Sequence, residues 1–152
     1  MKKLTAGVWI TCVAAVLAIA ALCVYGVNIG GEGYYKDAAV NNFTLVVCGA
    51  VLCLAAAIAL YQFKGGKVVE IVTGVLRVAA CALIAFGLMN LIAGRVDGLG
   101  YIYFSNADVA KEVQTAANLA SAQTAIWSMA LLGTAMLAAV IAAFFSLRKK
   151  DA

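Results

Sequence analysis

The chain has 152 residues, enough for one domain, but 66% of them are apolar and 12% charged, against roughly 45–50% and about 25% in ordinary globular domains. A soluble protein this small has no interior able to hide so much apolar surface, so lipid must solvate it. The net charge of +4 comes from basic residues scattered at the ends of apolar runs; that pattern marks membrane topology and excludes the basic stripe of a nucleic-acid binder.

The chain has neither proline nor histidine. Without histidine, Ser-His-Asp, Cys-His and His-rich metal chemistry are excluded.

A hydrocarbon core of about 30 Å needs roughly 20 apolar residues of helix, and the charged residues divide the chain into four such runs. The first span is 5–27, since Leu4 to Gly31 carries no charge. Lys2-Lys3, the apolar run and Ala18-Ile19-Ala20 resemble a cleavable signal peptide, but the run continues to Val27, which suits a retained span better. The loop 28–41 follows, with Gly31-Glu32-Gly33-Tyr34-Tyr35. The second span is 42–63; Asn42-Phe43-Thr44 matches the glycosylation pattern but lies at the membrane edge, where a glycan is awkward. Lys64-Gly65-Gly66-Lys67 is a tight helix–helix turn without the long spacing of a phosphate loop.

The third span, 68–93, contains Arg77. The arginine lies roughly 13 Å along a helix rising about 1.5 Å per residue, and a charge at bilayer depth is costly and commonly faces a bundle interior or water. Its side chain leans toward the helix N-terminus and can snorkel, while Glu70 and Thr73 share its face. Two readings follow: Arg77 packs with Glu70 as a loose partner, or it lines a hydrated vestibule or binds an anionic lipid headgroup.

The loop 94–122 repeats the Gly-x-Gly-Tyr pattern in Gly98-Leu99-Gly100-Tyr101-Ile102-Tyr103-Phe104, either by coincidence or because two hairpins share an origin. Its aromatics suit the headgroup belt, and Tyr101–Phe104 has a short strand as an alternative. Ser105, with Asp108 three positions on, suggests a helix N-cap. Nothing then interrupts a helix from Asn106 to Leu147 except Gly133. Such a helix would be about 63 Å long, so the fourth span is 123–147 and the helix extends beyond the membrane, packing on the first loop. Tyr34, Tyr35, Tyr101, Tyr103, Lys111 and Glu112 are the candidate external contact surface.

Small residues recur four apart at Ala14/Ala18, Gly49/Cys53, Ala55/Ala59 and Ala139/Ala143, the pattern that lets membrane helices approach closely. Thr11, Thr44, Gln62, Thr73, Asn90, Ser128 and Thr134 read as bonded to backbone carbonyls or neighbouring helices. Cys12, Cys23, Cys48, Cys53 and Cys81 all fall in apolar runs and read as small packing residues; Cys23–Cys48 is the pairing to examine.

Lysine and arginine near the span ends set orientation. With the N-terminus inside, the cytoplasmic side collects Lys2, Lys3, Lys64, Lys67, Arg148, Lys149 and Lys150. The outside keeps Lys36, Arg95 and Lys111 beside Glu32, Asp37, Asp97, Asp108 and Glu112.

The expectation is an all-α, integral membrane four-helix bundle forming a single membrane domain, with both termini inside, in the bacterial cytoplasmic membrane. The opening Met1-Lys2-Lys3-Leu4-Thr5-Ala6-Gly7, the Val27-Asn28 exit and Tyr34-Tyr35-Lys36-Asp37 resemble uncharacterised small four-span proteins of Gram-positive, Firmicutes-type bacteria. That resemblance implies a topology and no activity. Claudin-like and connexin-like proteins share the four-span plan, but their external cysteine patterns are absent.

For function, the favoured expectation is a non-enzymatic scaffold or accessory subunit, binding membrane lipid and either a second copy or another membrane or extracellular protein. A homo-oligomeric channel or small-solute transporter is the alternative. Enzymatic work is the weakest reading, since the spans show no nucleophile–base pair or paired carboxylates. No catalytic residue, cofactor, metal or nucleic-acid partner is expected.

Overall fold

The computed structural model describes residues 5–62 and 66–147. Four helices are long and apolar enough to cross a membrane, the mark of a multi-pass membrane protein: α1 (Ala6–Gly30), α2 (Phe43–Gln62), α3 (Lys67–Ala93) and α6 (Ala116–Phe144). Two short helices, α4 (Val96–Phe104) and α5 (Ala107–Val113), cap one end of the bundle. Phe63 and the start of the glycine turn (64–65) lie outside the described residues, as do the basic residues at 2–3 and 148–150.

The helices run up, down, up and down. Gly7 lies against Ser146 while Asn28 bonds the Ser121 carbonyl, so α1 and α6 are antiparallel along their length. Tyr25 and Phe43 stack with centroids 4.4 Å apart, closing the α1–α2 hairpin. Gly87 packs on Val47 and near Leu132, setting α3 against α2 and α6. The first and last described segments therefore share one end, the terminal end, where the Thr5 hydroxyl donates to the Leu147 carbonyl at 2.9 Å. The loops and α4–α5 form the other, the loop end.

Packing sorts residues by size rather than polarity. Alanines make up much of the buried face, among them Ala14, Ala18, Ala21, Ala80, Ala135 and Ala139, with a few large side chains such as Phe43, Leu54, Ile84 and Leu132 between them, while Trp9, Val16, Leu52, Val75, Met89 and Leu137 face outward. In lipid the outward bulky groups cost nothing, and small inward groups let backbones approach, which is where van der Waals gain between membrane helices comes from. Of the small-residue pairs, Ala14/Ala18 is fully buried and Ala139 is buried, whereas Ala55, Ala59 and Ala143 face outward. Four polar groups in the spans bond as expected: Thr11 to Gly7, Thr73 to Val69 and Thr134 to Ala130 within their helices, and Ser128 across to the Ala21 carbonyl; the side chains of Thr44, Gln62 and Asn90 make no such bond among the described residues.

Several expectations are corrected. The helix expected from Asn106 to Leu147 is broken at Gln114–Thr115. Thr115 caps α6 by accepting the Asn118 amide, and the Asn118 side chain donates to the Val113 carbonyl, side-chain bonds that compete with helix continuation. α5 consequently folds back instead of projecting, held by Gln114 donating to the Ile102 carbonyl. α6 still spans 29 residues, about 43 Å.

The cap of α5 is Asn106, which accepts the Val109 amide; the Ser105 hydroxyl instead donates to the Tyr101 carbonyl. Tyr101–Phe104 is helical, in α4, rather than a strand. The two Gly-x-Gly-Tyr stretches differ in structure, the first a turn and the second a helix. Cys23 and Cys48 are free and exposed, not paired.

Candidate functional site: two buried arginines at opposite ends

Arg95 ends α3 at the loop end, where sequence reasoning counted it as an outside charge. It is buried, 1% exposed. Gly94 is pressed against Val40, turning the chain so that the Arg95 side chain enters the space between the first loop and α1. Its guanidinium lies over the Tyr35 ring at 4.5 Å and the Tyr25 ring at 5.5 Å, with Nη1 donating to the Ala38 carbonyl at 2.8 Å. In return the Tyr35 hydroxyl donates to the Arg95 carbonyl at 2.6 Å, and the Tyr25 hydroxyl accepts the Val40 amide. Burial pushes the Tyr35 phenol up to about 12, against the pull of the nearby Arg95 cation. These contacts make a clasp joining α1, the first loop and the end of α3. Its signal in the sequence was the tyrosines at the same depth, since stacking on aromatic faces is how a guanidinium tolerates lost water.

The candidate external surface divides around this clasp. Tyr35 is buried and belongs to the fold. Tyr34 and Tyr101 come together with centroids 6.0 Å apart; both are partly exposed, as is Tyr103. Gly98 of α4 makes this possible, because a Cβ there would lie 2.5 Å from the Tyr34 ring and 2.6 Å from the Tyr35 hydroxyl. Lys111 pairs loosely with Asp108 at 3.8 Å in open solvent, and Glu112 is exposed beside it. The same end of the bundle carries five exposed carboxylates, Glu32, Asp37, Asp97, Asp108 and Glu112, against two exposed lysines, Lys36 and Lys111.

At the terminal end Arg77 is 7% exposed. The predicted trio meets in one place: Glu70, Thr73 and Arg77 line a cleft of about 320 Å³ between the first turns of α3 and the segment 143–147. They do not bond to one another. Glu70 is exposed and no ion pair joins it to Arg77, while the Thr73 hydroxyl is spent on its own helix. Arg77 Nη1 donates to the Phe145 carbonyl at 2.9 Å, just past the end of α6, where unpaired carbonyls favour a cation. Its Nε and Nη2 are buried with no hydrogen-bond partner among the described residues.

The cleft exists because the helices end at different heights. α6 stops at Phe144 beside Arg77, whereas α3 begins ten residues earlier, at Lys67, a step of about 15 Å. No protein-family model, curated protein or solved structure matches the chain.

Proposed function

We propose that this chain is a four-span protein of the cell membrane with both termini in the cytoplasm, a non-enzymatic scaffold or accessory subunit that binds a partner protein through its loop end. Orientation rests on the bias of lysine and arginine toward the terminal end of the sequence. The observation that carries the binding role is the Tyr34–Tyr101 patch, partly exposed yet mounted on the Arg95–Tyr35 clasp. Aromatic groups held rigid on a preorganised base bind at low entropic cost. The five exposed carboxylates of this end against two exposed lysines favour a partner that combines an apolar contact with basic side chains.

The test is native mass spectrometry of the chain purified in lipid, with co-purifying proteins identified. The expected result is one bundle with a bound partner, lost in the Tyr34→Ser/Tyr101→Ser variant while the bundle itself stays intact. A closed ring of identical subunits without a partner overturns this reading in favour of a homo-oligomeric channel. For orientation, Lys36→Cys in a cysteine-free background is expected to react with an impermeant maleimide added outside intact cells. Labelling only after lysis inverts the topology.

A further inference from the structure

The Arg77 cleft has the makings of a ligand site that the loop-end reading does not use. One edge of the guanidinium is committed, with Nη1 donating to the Phe145 carbonyl. The other edge, Nε–H beside Nη2–H, has no acceptor among the described residues. That edge is the fork that receives two oxygens of a phosphate or carboxylate in parallel bonds. A cation so enclosed has already given up most of its hydration, so pairing adds only the desolvation of the anion to the cost. Neither nitrogen is open to bulk water; engagement therefore takes a swing of the guanidinium on its long stem toward the cleft.

Depth and surroundings indicate the source of the anion. The stretch of α1 from Gly7 to Asn28 is about 32 Å long, close to the hydrocarbon thickness of about 30 Å. Gly7 lies against Ser146, next to the Phe145 carbonyl that Arg77 holds, so the guanidinium sits where hydrocarbon gives way to headgroups. Beside the cleft and level with Arg77, α3 presents Val75 and Val78 outward, each more than half exposed, a surface for acyl chains. The sequence adds Lys2, Lys3, Arg148, Lys149 and Lys150 close by along the chain. Glu70 lines the same cleft and opposes an incoming anion.

We propose that this cleft is an anion site, in which Arg77 grips a phosphate group supplied by the headgroup of an anionic phospholipid in the adjoining leaflet. It rests on the chain's spanning a membrane, not on the partner at the loop end.

The test compares wild type with Arg77→Gln, Arg77→Lys and Glu70→Gln in the full chain. Each is placed in vesicles of phosphatidylcholine with added phosphatidylglycerol, and retained lipid is read by native mass spectrometry. Wild type is expected to retain phosphatidylglycerol over phosphatidylcholine by about tenfold, the scale of hydrogen bonds to a charged group. Arg77→Gln abolishes that preference, Arg77→Lys weakens it through loss of the fork, and Glu70→Gln strengthens it. A second arm adds inorganic phosphate to the detergent-solubilised protein. Thermal stabilisation of wild type but not Arg77→Gln, without lipid preference, keeps the phosphate chemistry but overturns the lipid source.

Equal behaviour of wild type and Arg77→Gln in both arms overturns the site. Should Arg77→Gln fail to fold, unchanged lipid retention in both Arg77→Lys and Glu70→Gln does so instead. None of these outcomes bears on the Tyr34–Tyr101 patch, whose variants are read by partner loss.

Discussion

Tyr35 and Arg95 hold one another by groups that each need a particular chemical state. The Tyr35 hydroxyl donates to the Arg95 carbonyl and so must keep its proton, while the flat guanidinium over its ring must stay charged. Tyr35→Phe removes the hydrogen bond and keeps the stack, for a loss of about 1 kcal/mol. Arg95→Lys keeps the charge but gives up the planar face that lies over both tyrosine rings, for a loss of about 1–2 kcal/mol. Both are measured by thermal unfolding in a lipid mimetic. The phenol also predicts a pH dependence. Its folded value of about 12 lies above the ordinary value of 10.0, so the folded state holds the proton more tightly. The stability this contributes is fully present below pH 10 and is lost as pH rises through about 12. Wild type is expected to lose stability across that window, and Tyr35→Phe to lack that part of the loss. A Tyr35→Phe curve matching wild type would show that the phenol does not titrate as placed.

At the scale of helices, charge punctuation made the spans legible, because lipid tolerates few charges and each run had to be bounded by them. The expected 5–27, 42–63 and 68–93 lie within three residues of α1, α2 and α3. Which face of each helix turns inward was not legible, since core and lipid are both apolar and side-chain polarity does not distinguish them. Ala18 and Ile19 are equally apolar by pattern, yet Ala18 is buried and Ile19 is 46% exposed. Size carries the information, and it predicts Ala18→Leu to overpack the bundle interior, for about 1–3 kcal/mol. Ile19→Leu, facing outward, is expected to be near neutral in the same unfolding assay.

The break before α6 was hidden for a different reason. Thr115 and Asn118 stand three apart, a spacing that suits one face of a continuous helix as well as a cap followed by a return bond. Thr115→Ala is expected to cost about 1 kcal/mol. By circular dichroism it should gain helix rather than lose it, as α5 and α6 tend toward continuity. The two arginines divide similarly: Arg77 stood out because it interrupts an apolar run, whereas the burial of Arg95 comes from tyrosines far away in the chain.

The whole molecule has one tied end and one stepped end. At the loop end, α1, the first loop, α3 and α6 are joined by the Arg95 clasp, by Asn28 on Ser121 and Thr124, and by the Tyr35 amide on the Ser121 hydroxyl. The first loop between α1 and α2 has no regular structure, yet its amides are bonded in an unbroken run from Tyr35 to Val40. The amides of Lys36, Asp37, Ala38 and Ala39 donate to Gly33, Ile29, Tyr35 and Asp37, and that of Val40 to the Tyr25 hydroxyl. Gly33 seats this loop on α6 in a conformation side chains rarely adopt, φ 124°, and a Cβ there would lie 2.5 Å from the Ala117 carbonyl. A protease needs several residues of extended, unbonded chain, so cleavage reports local opening rather than side-chain exposure. Lys36 is exposed, but trypsin is expected to cut after it slowly in the folded protein. Gly33→Ala has neither the space nor the backbone freedom to keep the loop seated, and cleavage at Lys36 should accelerate at least about tenfold, the effect of about 1.4 kcal/mol on the opening equilibrium. Mass analysis of the fragments checks this. Rapid cutting of wild type at Lys36 would mean the loop is not tied down, and the Tyr34–Tyr101 patch would lose the rigid base that its proposed role requires.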